Sequence, residues 1–393
     1  MVIFTYKLQT EIQTQHQKEN LSKNLHIVTL NIPYPPDYGG LIDTFYRIQS
    51  LHNLGVKIHL HCFEYGRQHA KELELLCETI SYYPRKTGFL QQCSLLPYII
   101  SSRKSNDLLN NLIKKDFPIL FDGLHSTYYI NHPDLYNRRK FVRVHNIEHQ
   151  YYHALAQNES NLVRKLYFLI ESLKLKRYEK VIINADWILT ISANDQKYFN
   201  NKYHNSVLSG PSHPFNESES LPGFGKYILF HGDLSVNENA RVSDSLISGV
   251  FSKLSFPCKI AGKNPPEYLL SHASLYPNIQ VISNPDNDEM KKLILNAHIN
   301  LLPALAANGV KIKILYALFE GRHCLVNSLA SESTSLSSLC YSVNSNEEII
   351  DKINSLMQER FTEDMIIKRK NLLFENYNNL NNAKKLIELI FNG

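Results

Sequence analysis

Lys311 and Lys313 stand one residue apart in "NGVKIKILYALFEGRHCLV" (308–326), where an apolar helical pattern carried by Ile312, Leu315, Leu318 and Phe319 begins. The first turn of a helix already bears partial positive charge from its unbonded N–H groups, so two ammonium groups there are disfavoured. A bound anion reverses that penalty. A diphosphate suits the stretch, since free amides, two cations and the turn at Gly309 all favour it. The competing reading is one solvated lysine and one whose stem lies along apolar surface.

Three further stretches concentrate polar groups where apolar runs end. Gly39 and Gly40 follow the loop "NIPYPPDY" and open a helical pattern, so their amides could approach a phosphate or a sugar, or simply make a turn. In "VRVHNIEHQYY" (142–152), His145, Asn146 and Glu148 come just past an apolar run. His145 reads as a cleft residue, whereas Asn146 as N-cap with Glu148 in the first turn is the plainer account of that pair. In "FHGDLSVNENAR" (230–241), Gly232 permits close backbone approach beside Asp233, and Arg241 is either a forked phosphate donor or a solvated surface residue.

These residues need elements to hold them. "LHIVTL" (25–30) predicts a strand, Ile42, Phe45, Ile48, Leu51 and Leu54 a helix closed by Gly55, and "VKIHLHCF" a second strand. Strand, helix, strand is the unit of a parallel sheet. It recurs in "FPILFDG" (117–123), "KFVRVHN" (140–146) and "ADWILTIS" (185–192), with a helical pattern over about 158–183 between the last two. Pro, Gly, Ser and acidic residues then interrupt the periodicity in "SGPSHPFNESESLPGFG" (209–225), the linker. A second series follows in "KYILFHGDLS", "PCKIAGK", "NIQVIS", "HINLLPA" and "RHCLVNS". The expected fold is α/β: a polar extension (1–23), a Rossmann-like domain (24–208), the linker, a second Rossmann-like domain (226–375), and a terminal helix (376–393) able to pack back on the first domain. Ligands of such doubly wound sheets sit outside the carboxyl ends of the strands, where two sheets can face each other across a cleft.

Composition narrows the partners. With 43% hydrophobic and 20% charged residues in 393, the chain can bury a sizeable core, and it carries no low-complexity tract. Six scattered cysteines with no CxxC pair favour reduced thiols over a disulfide framework or a metal site. No apolar run reaches spanning length, and the N-terminal residues do not read as a signal peptide. Residues 1–205 hold 25 Lys and Arg against 18 Asp and Glu, while the remainder holds 17 against 19. That bias fits an anionic membrane surface or lipid phosphate better than nucleic acid, for which no motif is present.

Taken in order, "PYPPDYGG", "RVHNIEH", "FHGDLSVNEN", "KIAGK" and "GVKIKILYALFEGRHCLV" resemble the GT-B glycosyltransferases, specifically family 4 of the retaining, nucleotide-sugar-dependent enzymes, from about residue 24 to the end. The resemblance implies two Rossmann-like domains, a donor held mainly by the second and an acceptor by the first. It implies that Lys313 and Lys311 stabilise the leaving diphosphate, that His145 lines the reaction centre, and that Gly40, Gly232 and Asp233 border the donor. Gly39, Asn146 and Glu148 fall on the acceptor side. It implies no metal and no cofactor. The family places two glutamates, seven residues between them, around the donor, and here Asn308 and Tyr316 occupy those positions. Tyrosine can make one hydrogen bond but cannot accept two hydroxyls as a carboxylate does.

The expected activity is that of a metal-independent hexosyltransferase, cytoplasmic or at the inner membrane face, acting on a glycan or polyprenyl-linked acceptor. Two alternatives share the architecture: a catalytically degenerate scaffold that binds a partner transferase, and a nucleotide-sugar 2-epimerase. The segment "TGFLQQCSLLPYIISSRKS" (87–105) reads either as core packing or as a face for peripheral membrane contact.

Overall fold

The computed structural model describes residues 23–305, 312–331 and 336–392. Asn308, Gly309 and Lys311 therefore lie outside the described residues.

Two parallel sheets organise the chain. The first has seven strands: β1 (Asn24–Thr29), β2 (Lys57–Glu64), β3 (Thr79–Pro84), β4 (Ile119–Asp122), β5 (Lys140–Val144), β6 (Trp187–Thr190) and β7 (Ser206–Leu208), in the order β3-β2-β1-β4-β5-β6-β7. The second has six: β8 (Ile228–His231), β9 (Cys258–Gly262), β10 (Ile279–Ser283), β11 (Ile299–Leu301), β12 (His323–Val326) and β13 (Tyr341–Ser342), in the order β10-β9-β8-β11-β12-β13. In each sheet the order reverses beside the first strand, so the loops after β1 and β4, and after β8 and β11, diverge and leave a crevice. Central strands such as β4 and β5 are buried along their whole length because helices cover both faces.

The helices used below are α1 (Gly39–Asn53), α2 (Glu148–Asn158), α3 (Leu162–Tyr178), α4 (Ala193–Tyr203), α5 (Asn237–Gly249), α6 (Asn287–Asn296), α7 (Ile312–Glu320), α8 (Glu363–Tyr377) and α9 (Asn379–Phe391). The pattern read over about 158–183 is α3 alone, and the "HNIEH" stretch opens a separate helix, α2, so that α2 and α3 form a hairpin. Asn146 is not the N-cap, because α2 begins at Glu148 behind Ile147.

The chain crosses between sheets twice. Residues 209–227 carry it forward, and α9 carries it back, burying Ala383, Leu386, Ile387 and Ile390 with Leu25 and Ile27 of β1 and Phe45 and Ile48 of α1. The preceding helix, α8, packs Leu373 and Tyr377 with Leu315 and Leu318 of α7. The two crossings are bonded to each other: His213 Nε2 lies 2.6 Å from the Tyr377 carbonyl, and Asn379 Nδ2 donates to the His213 carbonyl at 2.6 Å.

Beneath the cleft lies a buried ionic network. Arg143 of β5 donates to both carboxylate oxygens of Asp43 in α1 (2.8 and 3.0 Å) and to the carbonyls of Ser209 and Gly210 (2.7 and 3.1 Å). Arg47 bridges Asp43 (2.7 Å) and Asp122 at the end of β4 (2.6 Å). Thr44 donates to Asp122, and the Ser212 amide donates to Asp43 at 2.7 Å. Burial alone would raise the Asp43 carboxyl, but the guanidinia of Arg143 and Arg47 outweigh it and hold it well below the usual carboxylate range. Removing one member strands the others as buried charges, so Asp43→Asn is expected to cost about 3–5 kcal/mol in denaturant unfolding.

A second buried polar chain, His26 Nδ1 to His61 Nε2 (2.9 Å) and His61 Nδ1 to the Tyr83 hydroxyl (2.8 Å), joins β1, β2 and β3. Burial lowers His26 from 6.5 to about 4 and His61 well below its usual value. A base whose folded pKa is depressed binds more protons unfolded, so stability falls as pH drops from 6.5 towards 4. Melting temperatures across that window should decline less steeply for His26→Asn than for the unaltered chain.

Candidate functional site

The two sets of strand carboxyl ends enclose a cleft of about 490 Å³. From the first sheet it is lined by residues 37–40, Ile42 and Asp43 after β1, His145 and Asn146 after β5, Tyr151 of α2 and Ile191 after β6. From the second come Gly232 and Asp233 after β8, Glu238 and Asn239 in the first turn of α5, Gly262 and Lys263 after β9, residues 285–287 and Met290 around the start of α6, and Ile312, Lys313 and Tyr316 of α7.

Among the described residues, the starts of α1, α5, α6 and α7 line this cleft. The N-cap positions of α1 and α5, Tyr38 and Val236, supply no side-chain hydrogen bond to the helix amides. Those first-turn N–H groups stay available to an anion. Lys313 lies in the first turn of α7, with Nζ 3.0 Å from Asn239 Oδ1 and 4.8 Å from the centroid of Phe230. Asn239 thus holds the ammonium between α7 and α5. The cation leaves its mark on His231 below it, which burial and Lys313 together push down to about 3.

His145 closes the opposite wall. Its Nε2 is 3.1 Å from Asp122 Oδ1 and its Nδ1 3.8 Å from Asp43 Oδ2, so the ring is oriented by the ionic network while one edge reaches the cleft. Asp43, Asp122 and His145 place their ligand atoms within 4.8 Å of one another, as a metal site would. The chemistry of the set argues against a metal: both carboxylates are already committed to Arg47, and Asp43 also to Arg143, so a divalent cation would have to sit beside two guanidinium groups.

The cleft brings together Gly39, Gly40, His145, Asn146, Gly232, Asp233, Lys313 and Tyr316. Arg241 and Glu148 are not among its lining residues. Arg241 is turned towards the α2–α3 hairpin, where Nη1 donates to Asn158 Oδ1 at 3.0 Å. Glu148 is buried at the base of α2, and burial raises its carboxyl to about 7. Tyr316 stands edge-on to Phe215, ring centroids 4.7 Å apart. Glu320, one turn further, is buried away from the lining with Oε2 unbonded, so it does not return a carboxylate to the cleft.

Three further residues that line the cleft were not singled out by their sequence context. Glu238 brings a carboxylate to the cleft and accepts the Leu305 amide at 3.2 Å, and its visible signal was a first-turn acid in "SVNENAR". Asn239, two residues before Arg241, takes the bond to Lys313. Gly262, within "KIAGK", is required sterically: a Cβ there would lie 1.8 Å from the Gly232 carbonyl oxygen. Only glycine lets the ends of β8 and β9 meet to form the floor.

No known family profile matches the chain. It is 26% identical over 347 residues, 82% of this chain and 88% of that protein, to an uncharacterized 44.6 kDa protein in the cps region of Klebsiella pneumoniae. Anabaena Alr3699/HepE, solved in complex with UDP and glucose, superposes with a TM-score of 0.64 at 9% identity, covering 94% of this chain and all of that one. WaaG, a glycosyltransferase involved in lipopolysaccharide biosynthesis, gives 0.64 at 12% identity over 94% of this chain and all of its own. Two Rossmann-like parallel sheets facing across a cleft, in the arrangement of these structures, give the chain a GT-B fold.

Proposed function

We infer that the chain is a glycosyltransferase of family 4 that moves a sugar, with retained anomeric configuration, from a nucleotide-sugar donor to a glycan or lipid-linked glycan acceptor in surface polysaccharide synthesis. The observation that carries this reading is Lys313 in the first turn of α7, facing the cleft with the uncapped starts of α1 and α5. Support comes from HepE, solved with UDP and glucose, from WaaG, which serves lipopolysaccharide synthesis, and from a relative in a cps region.

When the bond between the sugar's anomeric carbon and the diphosphate oxygen breaks, the electron pair leaves on phosphate. Lys313 and the helix N–H groups are already oriented at that charge, so they lower the barrier without reorganising. The protein need supply neither metal nor nucleophile for this step: the acceptor hydroxyl forms the new bond and its proton passes to the departing phosphate. His145, held by Asp122 and Asp43, lines the transferred sugar. Asp233 and Gly232 border the nucleotide, and Tyr316 takes the place of the family's second glutamate. Gly39 and Asn146 serve the acceptor side. Unpaired cysteines and a nucleotide-sugar donor suit the cytoplasm.

Lys313→Ala tests the donor reading. A charge-assisted hydrogen bond is worth about 1.5–3 kcal/mol, so calorimetry should show nucleoside diphosphates weakened by that amount and monophosphates much less. Equal losses for both would separate Lys313 from the diphosphate, and a chain that binds no nucleotide in a panel would overturn the reading.

Tyr316 carries the one alternative, a degenerate scaffold that binds a partner transferase, because it stands where the family uses a carboxylate. Its half-buried ring against Phe215 makes it a fitted residue of the cleft. Tyr316→Glu is accordingly expected to weaken nucleotide-sugar binding; tighter binding in that variant would favour the scaffold.

A further inference from the structure

The large exposed apolar surface of the first domain lies on α3 and on the segment before it that runs through residues 89–95. Leu162, Leu166, Ile170 and Leu173 recur at helical spacing along one side of α3, with Val163 beside them, and all are exposed, Leu162 and Val163 at 79%. Phe89, Leu90 and Leu95 are exposed at 76, 81 and 96%. The two stretches are joined. Ser101 Oγ donates to the Gln91 carbonyl at 2.9 Å, folding residues 89–92 against the Tyr98–Ser101 turn, and the Tyr98 amide donates to Glu171 of α3 at 2.7 Å.

Charge identifies what fits this face. Residues 85–104 and 162–180 together hold ten Lys and Arg against two acids, Glu171 and Glu179. Both acids are buried and already engaged, Glu171 by Lys174 at 2.9 Å and Glu179 by His149 at 3.1 Å. Of the basic residues, Arg103 is buried and Arg164 lies on the opposite side of α3 from the apolar stripe, whereas Lys86, Lys104, Lys176, Arg177 and Lys180 are exposed. Apolar side chains ringed by cations match the acyl boundary and anionic headgroups of a bilayer surface. A second copy of the chain would set like charges against like across a two-fold axis. No described helix is long and apolar enough to cross a membrane, so the contact is a surface one.

We propose that α3 and residues 89–95 form a docking face for an anionic lipid bilayer. The α2–α3 hairpin links that face to the cleft, because Tyr151 of α2 lines the cleft while α2 packs on α3. Docking therefore presents the acceptor side of the cleft to the membrane.

The full chain is mixed with sedimenting vesicles of phosphatidylcholine, with and without phosphatidylglycerol. Binding is expected only with phosphatidylglycerol and should weaken as salt rises. The double variant Leu166→Glu, Ile170→Glu, and separately Lys176→Glu, Arg177→Glu, should each lower vesicle affinity by about tenfold or more. Both should keep the melting temperature and nucleotide affinity of the unaltered chain. If the α3 variants do not fold, Leu95→Glu with Leu90→Glu on the exposed turn gives the same readout. Failure to bind phosphatidylglycerol vesicles, equal binding to both vesicle types, or a concentration-dependent dimer dissolved by Leu166→Glu, Ile170→Glu would each overturn the proposal. Vesicle binding is read without nucleotide, so its outcome stands apart from that of the donor reading.

Discussion

The bidentate pair between Arg143 and Asp43 is the constraint on which the rest of this molecule depends. Arg143 is fully buried on the central strand β5, and a guanidinium there is tolerable only with its charge and donors satisfied. Asp43 supplies the countercharge and accepts two hydrogen bonds from α1, and the carbonyls of Ser209 and Gly210 accept two more. One side chain thereby ties together a strand, the helix that opens the cleft and the segment leaving the first sheet. Arg47 extends the tie to Asp122, and the two aspartates orient His145. The charges beneath the cleft nearly cancel, so the wall facing a ligand is shaped by geometry more than by net charge.

The second sheet solves the complementary problem. It sets fixed positive charge at the cleft, with Lys313 in the first turn of α7 and Asn239 of α5 holding the ammonium in place. The penalty of putting a cation at a helix N-terminus disappears once an anion occupies the cleft. Close approach of the strand ends makes this possible, and Gly262 permits it because any side chain would strike Gly232. The two walls differ in their charged groups: Lys313 with the starts of α5 and α7 on one side, an imidazole oriented by two aspartates beside the start of α1 on the other.

The order of strands and helices was largely legible because central parallel strands are buried on both faces and read as unbroken apolar runs such as "KFVRV" and "ILFH". The strands that escaped, β3, β7 and β13, are all at sheet edges. An edge strand has one neighbour and partial cover, so "TISYYP", "SVL" and "YS" carry too little apolar signal to stand out. The helical pattern over about 158–183 corresponds to α3, but its pairing with α2 into a hairpin was not legible, because the break at residues 159–161 has neither glycine nor proline to mark a turn. Among site residues, Lys313, His145 and the glycine turns were legible from their position after strand ends. Arg241 and Glu148 follow strand ends too, yet a rotation of one or two helical positions turns Arg241 to the hairpin and buries Glu148.

Sequence alone determined the alternation of elements, the two-part division and the unusual placement of Lys313, since these rest on local periodicity and on the electrostatics of a single helix. Tertiary structure decided which polar groups meet. Asp43 and Arg143 are separated by 100 residues, Lys313 and Asn239 by 74, and only the closing of the sheets brings either pair within hydrogen-bonding distance. No local pattern encodes such pairings, because each depends on where two separately built elements come to rest.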